Sequence, residues 1–157
     1  MFIKPSRPKY NPDDDASEEG DFVSICTYIH YDIPSKVYAG KFNCAIEFTI
    51  IDKRYPKQVD KKCSIVCGQA IYKDKKTGKK SHLYTYLESA GFTNLERGAD
   101  LDAMLNKRYV CRVVASQGKY FVRGLVPLDE QVTEQVKKGN PLKIKEVETQ
   151  DEPELPY

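Results

Sequence analysis

The stretch Lys41-Phe42-Asn43-Cys44-Ala45-Ile46-Glu47-Phe48-Thr49-Ile50-Ile51 decides the fold class of this chain. Apolar side chains recur at every second position from Phe42 to Ile50, and mainly polar side chains fall between them. Successive side chains of a strand point to opposite faces, so this alternation predicts a half-buried β-strand. The chain is therefore expected to contain a sheet with one face on a core.

Four further strands are predicted around this stretch, because alternating or β-branched runs recur before and after it. They cover residues 22–31, 62–72, 108–116 and 120–126. The two residues Gln117-Gly118 fit a tight hairpin between the last two strands. Residues 81–90 predict a short helix that Ser81 caps and Gly91 ends. Residues 101–105 predict a second short helix or a single turn.

The predicted order is β-β-β-α-β-β, with the main helix between the third and fourth strands. This order is typical of the five-stranded oligonucleotide-binding barrel, the OB-fold. We therefore expect an all-β barrel with one or two short helices. A small β-sandwich and an SH3-like barrel contain similar elements and stay open as alternatives.

The charged residues divide the chain into three parts. Residues 21–128 carry 18 Lys+Arg and 10 Asp+Glu, residues 129–157 carry 4 and 8, and residues 1–20 carry 3 and 5. We expect a flexible N-terminal arm over 1–20, an OB-like domain over 21–128 and a flexible acidic C-terminal tail over 129–157. A basic domain of this kind suits a polyanion such as nucleic acid.

The composition argues against membrane and secreted proteins. The longest uncharged runs fall far short of the roughly 20 apolar residues that span a bilayer, and the first ten residues contain no apolar signal core. The five cysteines are an odd number and predict reduced, buried thiols in a cytoplasm. A zinc site that uses Cys63 and Cys67 is disfavoured because both lie in one predicted strand.

The chain shows no catalytic motif. Its two histidines, His30 and His82, lie in different predicted elements, and no nucleophile elbow, phosphate-binding glycine loop or His-Glu-x-x-His sequence is present. We therefore expect no enzyme activity, no catalytic residue, no metal and no cofactor.

Binding of single strands without sequence preference needs cations for the phosphates and flat rings for the bases. Tyr28 and His30 are predicted to point away from the apolar face of the first strand, and Tyr72 is predicted to end the third strand beside a basic loop. The predicted nucleic-acid-binding residues are Tyr28, His30, Lys41, Arg54, Tyr55, Lys57, Tyr72, Lys73, Lys75, Lys76, Lys79 and Lys80. Packing roles for the tyrosines and a merely solvated loop for residues 73–80 stay open.

Several short segments resemble small OB-fold single-stranded-DNA-binding proteins encoded in bacteriophage replication and recombination cassettes. Residues 81–89 resemble the Ser-x-Leu-x-x-x-Leu helix of that family, and residues 99–107 resemble its Asp-Leu-x-x-Leu-x-Gly-Lys turn, with Asn106 in place of the glycine. Residues 109–114, 118–120 and 125–128 resemble its last hairpin. The resemblance implies binding of single-stranded DNA in phage DNA replication, recombination or repair, in the cytoplasm of the bacterial host and without a membrane.

The acidic end of the chain resembles the tip of bacterial single-stranded-DNA-binding proteins, which docks helicases, nucleases and repair factors. The predicted partner-binding residues are Asp151, Glu152, Glu154, Leu155, Pro156 and Tyr157. The resemblance implies replication or recombination proteins as partners, and an ordinary solubilising tail is the alternative. For the whole chain the alternative is a protein-interaction module on the same small barrel, such as a phage accessory or anti-host protein. Homo-oligomerisation stays open.

Overall fold

Five antiparallel strands joined in one sheet form the framework of the protein. The computed structural model describes residues 12–147. The strands are β1 (Gly20–Pro34), β2 (Phe42–Ile50), β3 (Lys62–Gly68), β4 (Arg108–Ser116) and β5 (Lys119–Pro127), and the helices are α1 (His82–Ser89) and α2 (Glu130–Lys138). The strand order across the sheet is β3-β2-β1-β4-β5. Short 3-10 turns form at Pro12–Asp14, Leu95–Arg97 and Leu101–Met104.

The predicted succession of three strands, a helix and two strands is confirmed. Gln117 and Gly118 both have positive φ angles, 51° and 79°, which suits the tight hairpin between β4 and β5. The sequence predicted that the third strand would end at Tyr72, but it ends at Gly68. Just beyond this end, the Gln69 amide still bonds the Phe42 carbonyl at 2.9 Å, and the Gln69 side chain bonds Asp32, at 2.7 Å from the Asp32 amide and 2.8 Å to the Asp32 carboxylate.

Strand β1 is the central strand of the sheet and pairs with β4 on one side and with β2 on the other. Residues 20–25 pair with β4, and residues 24–34 pair with β2. The register shifts between Cys26 and Tyr28, so that Thr27 is the extra residue of a β-bulge. The Thr27 hydroxyl lies 3.3 Å from the Thr49 hydroxyl across the strand pair. This bulge changes which face the following residues occupy.

The bulge corrects the predicted inner face of the first strand. The sequence placed Val23, Ile25 and Ile29 together on the core side, but Val23 and Ile25 are only half-buried. Phe22, Ser24 and Cys26 face the core before the bulge, and Ile29 faces it afterwards. A single alternation pattern cannot represent a strand whose phase shifts by one residue.

The core lies on one side of the sheet and is closed by α1. Phe48, Ile65 and Leu125 belong to the buried cluster, together with Leu83 and Tyr86 of the helix. The Tyr86 hydroxyl donates a hydrogen bond to the Val122 carbonyl over 3.3 Å. The helix is thereby fixed against β5 by a buried polar contact as well as by apolar packing.

The two edge strands of the sheet contact one another, although no register of paired residues joins them. Val66 of β3 and Phe121 of β5 share a small buried cluster with Ala45 of β2. The sheet therefore curls until its edges meet, which gives a barrel-like shape.

The packed part of the chain extends beyond both boundaries predicted for the domain. Before residue 21, Ala16 is buried and its amide donates to the Lys62 carbonyl over 2.8 Å. After residue 128, where the sequence predicted a flexible tail, α2 forms, with Asp129 as its N-cap and Gly139 at its end. The following residues 140–147, here named the C-terminal strap, pack on β5 through the buried Ile144 and Val147.

The strap is held by one arginine and one glycine. Arg112 forms a two-pronged ion pair with Asp21, at 2.8 and 3.0 Å, and also donates to the Ile144 carbonyl at 3.2 Å. The Val147 amide bonds the Arg123 carbonyl at 2.7 Å. Beside this bond, Gly124 has no room for a side chain, because an added Cβ would lie 2.5 Å from the Lys145 carbonyl oxygen. Within residues 12–147, no helix is long and apolar enough to cross a membrane.

Substitution Gly124→Ala should lower the free energy of unfolding by about 1–3 kcal/mol, because the new methyl group pushes the strap backbone away from β5. Urea unfolding followed by circular dichroism measures this change. Gly68→Ala is the matched control, since a Cβ there meets nothing within 4 Å. Equal stability of the two variants would contradict the tight packing of the strap.

Candidate nucleic-acid interface

The face of β1 that is turned away from the core carries an aromatic pair. Beyond the bulge, Tyr28 and His30 lie with ring centroids 4.6 Å apart and planes inclined at 52°. Tyr28 is 42% exposed. The Tyr28 ring is thus open to the solvent and the His30 side chain is 17% exposed beside it, on the outward side that the sequence predicted for both.

A buried carboxylate lies beside this pair. Glu47 of β2 has its side chain 3.5 Å from His30 Nε2 and 3.5 Å from Lys62 Nζ. A carboxylate removed from water needs nearby positive charge. Lys62 supplies that charge, and His30 adds to it when protonated. The negative charge of Glu47 is therefore compensated on this face.

An apolar strip continues from the aromatic pair towards β5. It consists of Ala45, Val66 and Phe121, with the half-buried Ile33 packed against it. These residues lie on the face of the sheet opposite the main core cluster, because their strand neighbours belong to that core. Ala45, Val66 and Phe121 are at most 2% exposed, so the strip is a buried apolar layer between β1 and β5 that supports the residues around it.

Three basic side chains, those of Lys79, His82 and Arg123, lie at the β5 end of the strip. The Arg123 guanidinium stands 4.9 Å from the centre of the Phe121 ring. The pKa of His82, at the start of α1, is held below its ordinary value by partial burial and then by the charges of Lys79 and Arg123. Lys79, His82 and Arg123 are therefore within electrostatic reach of one another. We name Tyr28, His30, the strip and these three groups the outer-face site.

The predicted basic loop is a hairpin beside the outer-face site. Lys73 and Lys80 form a β-bridge at its base, and Asp74 accepts hydrogen bonds from the amides of Lys76 and Thr77 at its turn. Lys75, Lys76 and Lys79 are exposed. Lys80 differs, because its ammonium is 2.8 Å from the Glu88 carboxylate. Lys73 is exposed as well, so four lysines of this hairpin are directed to solvent.

The end of the sheet near the hairpin also carries exposed rings. Tyr72 is 55% exposed. Lys41 lies in the loop between β1 and β2, where its amide bonds the Tyr38 carbonyl at 3.2 Å. Tyr38 and Phe42 are likewise exposed. The hydrogen bond from the Gln69 amide to the Phe42 carbonyl, 2.9 Å, connects this loop to the chain that leads into the hairpin.

Arg54, Tyr55 and Lys57 lie in the loop between β2 and β3 and have a different environment. Tyr55 packs edge-on against the core residue Phe22, with ring centroids 4.9 Å apart. Arg54 forms two bonds of 3.0 and 2.7 Å to the buried carboxylate of Asp52. Tyr55 is thus engaged in packing and Arg54 in a salt bridge, although Arg54 is also partly open to solvent, and Lys57 is exposed.

The structure therefore divides the predicted site residues into groups. Tyr28, His30 and Lys79 belong to the outer-face site, and the hairpin residues lie beside it. Val66, Phe121 and Arg123 were not predicted. Nothing in β5 alone indicates that Phe121 and Arg123 face the same surface as Tyr28, because that arrangement depends on the contact between the two edge strands. The predicted tail residues 151–157 lie outside the described residues.

All five cysteines are buried and none forms a disulfide, as the sequence predicted. Burial raises the pKa of Cys26 and that of Cys63 to about 12. These two thiols are therefore protonated near neutral pH and are weak nucleophiles. Among residues 12–147, no group of three His, Cys, Asp or Glu side chains is placed to hold a metal ion.

Comparison of this chain with protein-family models, with curated proteins and with solved structures gives no match. The resemblance to phage single-stranded-DNA-binding proteins thus rests on the short sequence segments described above.

The Asp52–Arg54 pair generates a test that separates stability from binding. Burial raises the pKa of Asp52, but hydrogen bonds from Arg54 and from the Val23 and Arg54 amides outweigh it and leave that pKa below its ordinary value. Arg54→Ala should lower the free energy of unfolding at pH 7 by about 1–3 kcal/mol and should change oligonucleotide affinity less than twofold.

The pH dependence of this loss follows from the sign of the shift. A lowered carboxylate pKa contributes stability above the ordinary pKa, and the contribution disappears as the pH falls through the lowered value. The stability difference between wild type and Arg54→Ala should therefore shrink under acid conditions. Urea titrations at several pH values measure it, with the adjacent exposed Lys53→Ala as the control. A difference that is the same at every pH would contradict the role of Asp52.

Proposed function

We propose that this protein binds single-stranded DNA with little sequence preference, on an OB-like barrel. The strand order β3-β2-β1-β4-β5, the helix between β3 and β4 and the contact between the edge strands support the OB-fold. In that fold the face formed by the second and third strands, with the loop between the first two, binds oligonucleotides. Ala45 of the second strand and Val66 of the third belong to the outer-face site, which supports a comparison with that surface.

The observation that carries the proposal is the arrangement of rings and cations on one face, around the buried apolar strip. The Tyr28–His30 pair offers rings on which bases can stack, and the exposed Lys79 offers positive charge at the other end of the strip, beside the buried guanidinium of Arg123. Stacking of a base on an aromatic ring contributes about 1–3 kcal/mol. Lysines of the hairpin add phosphate contacts that do not depend on sequence.

The residues on this face are suited to single strands and not to duplex. Rings stack on bases only where the bases are unpaired, and the outer-face site presents no exposed helix that could enter a major groove. Competition of labelled oligo-dT with unlabelled single-stranded DNA, RNA and duplex decides the preference. We infer a role in replication, recombination or repair from the family resemblance alone, and docking of partners by residues 151–157 belongs to the same proposal.

A second candidate function is favoured by the loop between β1 and β2. Val37, Tyr38 and Phe42 are 63%, 55% and 49% exposed, and clustered exposed apolar side chains are typical of protein-binding surfaces. A protein-interaction module would use this loop and would not bind oligonucleotides. Fluorescence polarisation with labelled oligo-dT separates the two functions.

Tyr28→Ala should weaken the affinity for oligo-dT about 5- to 30-fold, because one stacking surface is lost. Tyr28→Phe keeps the ring and should stay within about twofold of wild type. Fluorescence polarisation at low salt measures both. If Tyr28→Ala binds as tightly as Tyr28→Phe, the aromatic pair is not part of the interface.

The triple variant Lys75→Ala/Lys76→Ala/Lys79→Ala should flatten the salt dependence of binding. Each phosphate contact on a single strand contributes about 0.7 to the slope of log K against log salt, so the slope should fall by up to about 2. Lys137→Ala/Lys138→Ala/Lys143→Ala removes the same charge from α2 and the strap. The hairpin has no special role if the two triple variants show the same slope.

A further inference from the structure

A second concave surface lies apart from the outer-face site. It is an open pocket of about 670 Å³ between the end of α1, the Leu101–Met104 turn, the start of β4 and the end of β5. Its apolar walls include Phe92, Tyr109, Pro127 and Leu128, and Lys107 and Arg108 are its cations. None of its lining residues belongs to the outer-face site.

The two cations of this pocket are available for an anionic ligand. Among residues 12–147, neither Lys107 nor Arg108 forms a salt bridge, whereas Arg54, Lys80 and Arg112 each do. Two acidic residues adjoin the pocket wall in sequence, Asp102 beside Ala103 and Asp129 beside Leu128. The Asp102 carboxylate accepts the Tyr31 hydroxyl at 2.6 Å, and Asp129 is also engaged. Its carboxylate already accepts the Val132 amide at 2.8 Å, as the cap of α2.

The chain contains a segment with the complementary chemistry. Residues 146–157 hold five carboxylates and no Lys or Arg, and the last three of these residues are Leu155, Pro156 and Tyr157. An apolar group that fills a pocket, with carboxylates on a basic rim, is a favourable binding arrangement. Pro153 and Pro156 restrict the free segment, so that less conformational entropy is lost on binding.

The direction of the strap favours a second copy as the source of the segment. The strap contacts Gly124 through Ile144 and Lys145 and then reaches the Arg123 carbonyl with Val147, so it runs away from Pro127. The pocket lies about 13 Å back along β5 from Arg123. Leu155–Tyr157 come eight to ten residues after Val147 in sequence, which is long enough to span this distance, but a segment of the same copy must first reverse its direction. A segment from a second copy requires no such reversal.

We propose that the pocket formed by Phe92, Lys107, Arg108, Tyr109, Pro127 and Leu128 binds the acidic segment Asp151–Tyr157 of a second copy of the protein. This contact joins two different surfaces, so two copies can exchange segments reciprocally, or the contact can extend to further copies. It leaves the outer-face site of every copy accessible. The proposal does not depend on nucleic-acid binding.

Photo-cross-linking tests the proposal directly. Full-length protein with Tyr157→p-benzoylphenylalanine is mixed with ¹⁵N-labelled wild type, irradiated and analysed by mass spectrometry. We expect cross-links from position 157 to peptides that contain Phe92 or Leu128 of the ¹⁵N-labelled copy. Cross-links confined to one copy, or directed to Tyr28 or Phe121, would overturn the proposal.

Charge reversal supplies the matched control. Lys107→Glu/Arg108→Glu in the labelled copy should reduce the cross-link yield at least fivefold, and Lys75→Glu/Lys76→Glu should leave it unchanged. An equal reduction in both variants would show nonspecific attraction and overturn the assignment. Lys107→Ala/Arg108→Ala, which introduces no new charge, should give a smaller reduction of the same sign, and no reduction would count against the pocket.

Two further measurements separate this proposal from the proposed function. In sedimentation equilibrium, truncation after Val147 and Lys107→Glu/Arg108→Glu should both lower the average mass at equal concentration, and an unchanged mass would overturn the self-association. The affinity of Lys107→Glu/Arg108→Glu for a short oligo-dT should stay within twofold of wild type. A large loss there would place the pocket in the nucleic-acid interface and overturn its assignment to the acidic segment.

Discussion

The bulge in β1 is the constraint on which the rest of the structure depends. β1 must pair with β4 through its first residues and with β2 through its later ones, and both halves must cover one core. The extra residue Thr27 lets Cys26 and Ile29 both face that core. The Cys26 carbonyl, where the pairing with β4 has ended, accepts the Asn106 amide at 2.8 Å. Without this change of phase, the strand could not curl the sheet far enough to bring β3 against β5.

The element order could be predicted from the sequence because each element has a local signal. The alternation from Phe42 to Ile50 predicts β2, Ser81 predicts the start of α1, and Gln117-Gly118 predicts the last hairpin. Asn106 has a φ of 65°, a left-handed conformation that asparagine adopts more readily than most residues. This explains how it replaces the glycine of the resembling turn.

The candidate site could be predicted only in part, because its cations are not equivalent. Arg54 lies among exposed lysines in sequence, yet its guanidinium neutralises the buried Asp52. Arg112 likewise holds Asp21 and the strap. Phe121 and Arg123 join the site through the contact between the edge strands, which is a long-range property. Counting charge along the chain cannot distinguish a cation that stabilises the fold from one that meets a ligand.

The strap and helix α2 show why the acidic part of the chain, residues 129–157, is not a uniform tail. Ile144 and Val147 are both buried against the body of the protein. Ile144 can approach β5 closely because Gly124 has no side chain there. The carboxylates beyond Val147 therefore start from a fixed point on β5 and not from the end of a free linker. A fixed starting point limits which surfaces of its own copy the segment can reach, since reach grows by at most about 3.6 Å per residue.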